Sequence, residues 1–207
     1  MTTQADTLSD LPNRNALNQA LKQQIEAGNP VALALLDIDS FSEVNLDFGQ
    51  STGDAVLRTL AGILSAQQPG QAYHFSGDEF ALVLPAHSLE QAFLRMEGLR
   101  QLVYGNERFA LADGRKLAIT IGVAQFPRDA KDTRGLVQAA DAALASAKES
   151  GRNQVSLPPN EEMVMKSCYY AASSVRRLKL LAERLGRKES PLLREALDDL
   201  FRKYDVP

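Results

Sequence analysis

The feature that most constrains this chain is an uninterrupted apolar run, Val31 to Ile38, that ends in the acidic residues Asp37 and Asp39. A run that is apolar at nearly every position, not at every second one, is typical of a central strand buried on both faces. Such a strand needs elements packed on each side of its sheet. The run therefore predicts a covered sheet with two carboxylates at the exit of a central strand.

Length and composition fit a soluble chain with one full domain and a small appendage. The chain has 207 residues, 44% hydrophobic and 24% charged, which is near the average for globular proteins and argues against extensive disorder. The single cysteine, Cys168, excludes an internal disulfide and a thiolate metal cluster within one chain. No stretch is apolar enough to span a bilayer, and residues 1–10 lack the features of a signal peptide. We therefore expect a cytoplasmic protein with no membrane partner.

Apolar periodicity predicts how helices and strands alternate around this run. The two strands that follow it are joined by Ser76, Gly77, Asp78 and Glu79, a hairpin tip that carries two acids. The order predicts an α+β fold, an α/β sandwich with a βαββαβ core and an antiparallel or mixed sheet. Helices are predicted over Leu11–Ile25, Gly53–Gln67, Ser88–Leu102 and Leu136–Lys148, and further strands over Ala72–Phe75, Phe80–Leu84 and Leu117–Phe126.

The chain is expected to divide near its two adjacent prolines, Pro158 and Pro159. We assign residues 1–157 to the main domain, 158–162 to a linker and 163–207 to a small tail. The tail pattern predicts one strand, Met163–Tyr170, and helices at about 174–185 and 189–203. A lone strand cannot satisfy its own backbone groups, so it should borrow a partner. The tail is mildly basic and the main domain acidic, which is compatible with a nucleic-acid contact without establishing one.

Two acidic pairs, Asp37 with Asp39 and Asp78 with Glu79, stand at a strand exit and at a hairpin tip. If the two tips lie side by side, several carboxylates gather in one place. Hard oxygen ligands of this kind suit Mg²⁺, which commonly binds through one or two carboxylates plus substrate phosphates. The alternative is that turns and strand ends are acidic because they are solvated. Each pair taken alone favours this simpler interpretation.

Five segments, taken together, resemble the GGDEF family in order and spacing from Asp6 to about Val155. The segments are Asp6–Arg14, Asp37–Asn45, Gly53–Asp54, Ser76–Phe80 and Ala140–Asn153. The resemblance implies a nucleotidyl-cyclase palm that uses Mg²⁺ or Mn²⁺ to condense two GTP molecules into cyclic di-GMP and pyrophosphate. Because each domain of this family holds one GTP, the resemblance also implies that two domains must face each other in a dimer.

The resemblance assigns roles position by position. Asp78 and Glu79 would be catalytic, and they would share metal binding with Asp37 and the Ile38 carbonyl. A carboxylate suits guanine recognition because guanine offers adjacent N–H donors. Lys148 and Arg152, the cations that the resemblance implies for the terminal phosphates, also have a simpler explanation: positive charge near a helix C-terminus is favoured by the helix dipole. The implied substrate-binding residues are Asn45 and Asp54 for guanine, Lys148 and Arg152 for the terminal phosphates, and Phe41, Ser76 and Gly77 around them.

Several positions depart from the usual family pattern. Ser76 stands where the signature has its first glycine, which the turn tolerates if φ stays negative. Ser42 replaces a customary Lys and removes a charge-assisted phosphate contact worth roughly 1.5 to 3 kcal/mol. Leu46, Gln50 and His74 replace Asp, His and Arg. The domain is therefore either an active cyclase or a degenerate domain that senses GTP or cyclic di-GMP.

Two further expectations concern regulation and metal binding. Many family members carry an Arg-x-x-Asp product-inhibition site just before the signature, whereas residues 67–70 here read Gln-Gln-Pro-Gly. We therefore expect no product feedback through that site. His74 and His87 lack the spacing of a transition-metal site and are expected to be ordinary structural residues.

The tail from Val175 through Leu181–Gly186 and Ser190 to Arg194–Leu197 resembles the ribbon-helix-helix family over about 42 residues. That resemblance implies a homodimer in which two chains pair their strands, and the outward side chains of this ribbon enter the major groove of DNA. Which ribbon face would point outward stays open, and the alternative is a tail that only dimerises. The candidate DNA contacts are Lys166, Ser167, Tyr169, Arg187 and Lys188.

Overall fold

The computed structural model describes residues 6, 8–67, 70–158, 170–186 and 189–204. The chain divides into two compact units, residues 1–160 and 161–207. The first unit contains α1 Arg14–Glu26, β1 Val31–Ile38, α2 Phe41–Phe48, α3 Gln50–Ser65, β2 Gln71–Ser76, β3 Glu79–Pro85, α4 Leu89–Tyr104, a 3₁₀ turn Glu107–Phe109, β4 Ile119–Phe126, α5 Thr133–Glu149 and β5 Val155–Ser156. The second contains α6 Ala172–Leu185 and α7 Glu189–Lys203.

The sheet has the strand order β2-β3-β1-β4-β5, with β1 at its centre. Strand β1 pairs antiparallel with both β3 and β4, whereas β4 and β5 run parallel. Every residue of β1 is buried except Asp37, which is partly exposed. The predicted central strand and the βαββαβ order in a mixed sheet are therefore confirmed.

Alternate side chains of β1 point into two separate hydrophobic cores, one on each face of the sheet. Ala32, Ala34 and Leu36 pack on one face, and Val31, Leu33 and Leu35 pack on the other. Helices α3 and α4 cover the first face and α1 and α5 the second, which confirms the predicted α/β sandwich. The covering side chains include Val56, Leu60, Met96 and Leu99 on the first face, and Leu17, Leu21, Leu136 and Leu144 on the second.

Polar caps set the starts of the longer helices. The side chain of Asn13 accepts hydrogen bonds from the first turn of α1, and that of Asp132 accepts one from Gly135 in α5. Ser88 and Gln91 form a reciprocal capping box at the start of α4. The predicted helices therefore begin and end within a few residues of the observed ones.

Besides the 3₁₀ turn, the sequence missed two elements, α2 and β5. Helix α2 has only eight residues and follows β1 after a single turn, so its periodicity merges with that of its neighbours. Strand β5 has only two residues and is defined by its pairing with Ile121 and Gly122 of β4. Neither element carries enough sequence of its own to show a period.

The two tail helices are confirmed, with α6 ending at Gly186 in the left-handed conformation (φ 62°). Most of the predicted strand, residues 163–169, lies outside the described residues, as do the candidate DNA contacts Lys166, Ser167, Tyr169, Arg187 and Lys188. Four of the five linker residues, 159–162, also lie outside them. In the part of the chain that the structure describes, no helix is long and apolar enough to cross a membrane.

Candidate active site

The antiparallel pairing of β1 with β3 places Asp37 directly opposite Glu79. Asp78 stands beside Glu79 in the tip between β2 and β3, so the two acidic segments meet at one edge of the sheet as predicted. Burial raises the pKa of Asp37; Lys148 opposes this rise, and the neighbouring Asp78 and Asp39 add to it. Burial also raises the pKa of Glu79, with the same lysine opposing. The site therefore concentrates negative charge where water is partly excluded.

Lys148, in the last turn of α5, supplies the counter-charge. Its Nζ lies 2.6 Å from Asp37 Oδ2 and 3.9 Å from Glu79 Oε1. The Lys148 and Asp37 side chains are only 30% and 13% exposed, so this contact is better shielded than a surface ion pair. The lysine is thus more than a cation favoured by its helix dipole, because it contacts carboxylates on two adjacent strands of the sheet.

The donor set at this edge fits a divalent metal that is shared with a phosphate substrate. Among the described residues, no three His, Cys, Asp or Glu side chains are grouped so that they could hold a metal alone. Mg²⁺ often needs only one or two protein carboxylates, with phosphate oxygens completing its coordination. Asp37 and Glu79 are two such carboxylates facing each other, and Ile38, whose carbonyl is a further candidate ligand, ends β1 beside them.

The candidate guanine pocket is built where α2 and α3 meet. A Cβ atom added to Gly53 would lie 2.0 Å from Asn45 Oδ1 and 3.1 Å from Phe41 Cζ. Gly53 is therefore what allows these two side chains to approach the start of α3. Phe41 and Asn45 are thus brought together at Gly53. Asp54 is the next residue of the same helix, and its Oδ2 lies 3.7 Å from Arg58 Nη2.

The signature turn tolerates its serine for the reason expected. Among the described residues other than glycine, those with positive φ do not include Ser76, whereas Gly77 has φ 50°. A register shift between His74 and Ser76 lets the strand enter this tight turn. The one residue of this turn that needs the left-handed conformation is thus Gly77, the glycine of the signature that is still present here.

His74 ties the start of the chain to the signature turn. Its Nδ1 lies 2.9 Å from Asp6 Oδ1, and its Nε2 lies 2.9 Å from the Gly77 carbonyl oxygen. Both partners are hydrogen-bond acceptors, so each ring nitrogen faces an oxygen, one from residue 6 and one from the signature turn. Partial burial would raise the pKa of Asp6, but hydrogen bonds from Ser9, His74 and Leu8 lower it to about 2. His74 is therefore structural as expected, but it is also a bridge that the sequence did not reveal.

Asp39 does not face Lys148, although it is only two residues from Asp37. Its two oxygens accept hydrogen bonds from the Thr120 hydroxyl at 2.6 Å and from the Asn153 backbone amide at 3.0 Å. Thr120 was not singled out from the sequence, because it lies 81 positions from Asp39 inside a mostly apolar strand. The substrate candidate Arg152 stands next to Asn153 in a left-handed conformation (φ 60°).

Two of the four departures from the usual pattern lie in the first turns after β1. Ser42 is exposed in the first turn of α2, and Leu46 is 84% exposed one turn further on. Gln50 is an exposed residue at the start of α3. These substitutions therefore change the surface beside the site and leave its partly buried carboxylates in place.

Residues 3–154 match the model of the family described as diguanylate cyclase, GGDEF domain. The chain is 34% identical over 156 residues to diguanylate cyclase DgcP of Pseudomonas aeruginosa, covering 72% of this chain and 23% of that protein. It is 32% identical over 160 residues to diguanylate cyclase DosC of Escherichia coli, covering 73% of this chain and 34% of that protein. The chain thus spans between about a quarter and a third of these curated relatives.

Solved structures show the same fold. The crystal structure of the GGDEF domain of DgcB from Caulobacter crescentus, in complex with c-di-GMP, aligns with a TM-score of 0.67 and 28% identity. The alignment covers 75% of this chain and 93% of that one. The diguanylate cyclase SiaD of Pseudomonas aeruginosa, solved with its activator SiaC, aligns with a TM-score of 0.66 and 31% identity, over 74% of this chain and 61% of that one.

Proposed function

This chain belongs to the GGDEF diguanylate cyclase family, and on that basis we propose that it condenses two molecules of GTP into cyclic di-GMP and pyrophosphate. The observation that carries the proposal is the meeting of Asp37 and Glu79 across two strands, with Lys148 bound between them. A cluster of shielded carboxylates beside a cation suits a metal-dependent phosphoryl or nucleotidyl transfer.

GTP would lie across the edge of the sheet that holds these residues. Asn45 and Asp54 would bind guanine, in the pocket that Gly53 leaves open, and Lys148 with Arg152 would bind the terminal phosphates. Phe41, Ser76 and Gly77 would line the path between them. Mg²⁺ or Mn²⁺ would be held by Asp37, the Ile38 carbonyl, Asp78 and Glu79, and it would stabilise charge on the attacking and leaving oxygens.

The reaction joins the 3′ oxygen of one GTP to the α-phosphorus of another. The bond from that phosphorus to the bridging oxygen breaks, pyrophosphate leaves, and the second ring bond forms in the same way. Glu79 is suited to receive the 3′-hydroxyl proton, since burial raises its pKa towards the range of an effective base. Lys148, which pairs with Asp37 in the structure, would bind the terminal phosphates, and a metal held by Asp37 would supply the counter-charge for that carboxylate.

Two domains must face each other for this reaction, and we assign their pairing to residues 163–207 as a ribbon-helix-helix homodimer. Support comes from the apolar side chains that α6 and α7 leave half exposed, among them Leu181, Leu185, Leu197 and Leu200. The tail would also contact DNA, through Lys166, Ser167 and Tyr169 of the assigned ribbon and through Arg187 and Lys188, which precede α7 in the chain. Removing residues 160–207 should make the protein monomeric and lower cyclase activity, which sedimentation and product assays measure; a truncated dimer of full activity would overturn this role.

Ser42 favours a second candidate, a domain that binds GTP or cyclic di-GMP without turnover and regulates the tail. It places a short neutral side chain in the first turn of α2, where the family customarily has Lys. In this alternative, ligand binding would change the affinity of the tail for DNA.

The deciding experiment incubates the full chain with GTP and Mg²⁺ and separates cyclic di-GMP and pyrophosphate by chromatography, with GTP binding measured in parallel. Product that disappears in Asp78→Ala, while GTP binding persists, is the expected result. GTP binding without product would replace the cyclase by the sensor, and failure to bind either GTP or cyclic di-GMP would refute both.

A further inference from the structure

Each oxygen of the Asp39 carboxylate accepts a hydrogen bond from the protein itself. Oδ1 accepts the Thr120 hydroxyl at 2.6 Å, and Oδ2 accepts the Asn153 amide at 3.0 Å. The same amide lies 2.9 Å from the Thr120 hydroxyl oxygen. Thr120 is completely buried, whereas Asp39 and Asn153 are partly exposed. We call these three hydrogen-bonded residues the Asp39 cluster. Asp37 and Asp39 therefore act on different parts of the site although they share one strand end.

The Asp39 cluster includes a residue of a turn whose backbone conformation is unfavourable. Between the end of α5 and the start of β5, Arg152 has φ 60° and Asn153 has φ 45°. Residues with a Cβ adopt this left-handed region only at an energetic cost, and two in succession need strong support from neighbouring groups. The Arg152 amide donates to the Ala147 carbonyl at 3.1 Å, which leaves Asp39 and Thr120 to hold the next residue.

A second contact holds Asn153 from the opposite side. Arg100 of α4 donates from Nη1 to Asn153 Oδ1 at 2.8 Å, although 53 positions separate them. Arg100 is only 15% exposed, and its Nε donates to Glu97 Oε2 at 3.0 Å, so it is itself fixed in place. The turn is thus fastened to the end of β1, to β4 and to α4.

We propose that Asp39, Thr120 and Arg100 are positioning residues for Arg152, and that through it they govern binding of the terminal phosphates of GTP. The inference rests on the proposed function and deepens it. The direction in which the Arg152 side chain leaves the backbone depends on the left-handed pair at 152 and 153. If the hydrogen bonds of the Asp39 cluster are removed, the turn relaxes to a commoner conformation. The Arg152 side chain then no longer reaches the phosphates that Lys148 binds.

The test is a double-mutant cycle on the full chain, with Thr120→Val, Arg152→Ala and the double variant. Affinities for GTP and for GMP are measured, because GMP lacks the phosphates that Arg152 would contact. Thr120→Val should weaken GTP binding about tenfold, equivalent to about 1.4 kcal/mol, and change GMP binding less than about twofold. In the Arg152→Ala background it should have no further effect on GTP, because the two residues act as a unit.

Thr59→Val is the matched control, since the Thr59 hydroxyl also bonds a protein oxygen, the Ala55 carbonyl at 2.7 Å, but on an exposed helix face. It should alter neither affinity. If Thr120→Val does not fold, Arg100→Gln takes its place in the cycle. It removes the other contact to Asn153, the one from α4. Equal losses for GTP and GMP, or losses that add to that of Arg152→Ala, would show a merely structural role. A parent chain that binds no GTP would instead refute the proposed function, and this inference with it.

Discussion

Replacing Gly53 by Ala should separate the stability of this fold from its guanine recognition. The added Cβ would lie 2.0 Å from Asn45 Oδ1, far closer than any ordinary contact, and 3.1 Å from Phe41 Cζ, which is too close by a few tenths of an ångström. The Asn45 atom is the end of a side chain that can rotate away, so the overlap is relieved without moving the backbone. Asn45 would then lose the place from which it is proposed to bind guanine.

The two consequences have opposite signs. Ala is favoured over Gly within a helix by about 1 kcal/mol, so Gly53→Ala should leave the free energy of unfolding unchanged or raise it slightly after crowding at Phe41 is subtracted. A lost hydrogen bond to the base costs about 1 kcal/mol, and a misplaced side chain adds to this, so GTP affinity should fall about tenfold. Preference for GTP over ATP should fall with it.

Gly62→Ala is the matched control, because Gly62 lies in the same helix and a Cβ there meets nothing within 4 Å. It should raise stability by up to about 1 kcal/mol and leave nucleotide binding alone. Calorimetric titration with GTP and ATP, together with chemical unfolding, measures both effects. Wild-type GTP affinity in Gly53→Ala would refute the assignment of Asn45 to guanine, and a large loss of stability would refute the reasoning that Asn45 can rotate away.

Three further predictions concern charge. Lys148→Met should destabilise the protein by about 2 kcal/mol at pH 7, between the values for exposed and buried pairs, whereas Lys22→Met, which removes an exposed pair with Glu26, should cost at most about 0.5. Burial already raises the pKa of Asp37, and loss of the lysine raises it further, so this destabilisation should be smaller at pH 5, where the carboxyl is protonated more often; equal losses at both pH values would contradict it. Asp6→Asn should cost about 2 kcal/mol at pH 7; because the folded pKa is about 2 and the unfolded value 3.8, the difference should persist above pH 4 and vanish as pH falls towards 2 in urea titrations. Ser42→Lys should increase GTP affinity or cyclase rate about tenfold, and an unchanged protein would mean that the phosphates do not pass the first turn of α2.

The main elements of the fold were predictable because each repeats a local pattern. The apolar run at Val31–Ile38 predicted the central strand, and helical spacing predicted α1, α3, α4 and α5. Helix α2 and strand β5 were not predictable in this way, since eight and two residues are too few to show a period. The parallel pairing of β5 with β4 depends on where α5 returns the chain, which no local pattern encodes.

For the candidate site too, the residues were predictable from local motifs, whereas the contacts between them were not. Asp37, Asn45, Asp54, Asp78, Glu79, Lys148 and Arg152 were named from the sequence because they fall in short motifs of fixed spacing. That Asp37 pairs with Glu79, and that Lys148 lies between them, follows only from strand register and the path of α5. The Gly53 contact likewise belongs to the packing of α3 on α2.

The sequence by itself therefore determined a covered central strand, the order of the main helices and strands around it, and the residue types that suit a nucleotide and a metal. Only the tertiary structure decided which side chains contact one another. Asp37 binds Lys148, Asp39 binds Thr120 and Asn153, and His74 contacts both Asp6 and Gly77. The physical reason is that periodicity and turn chemistry act between neighbours in the chain, whereas most of these hydrogen bonds join groups that are distant along it. Such groups meet only after both faces of the sheet have been packed.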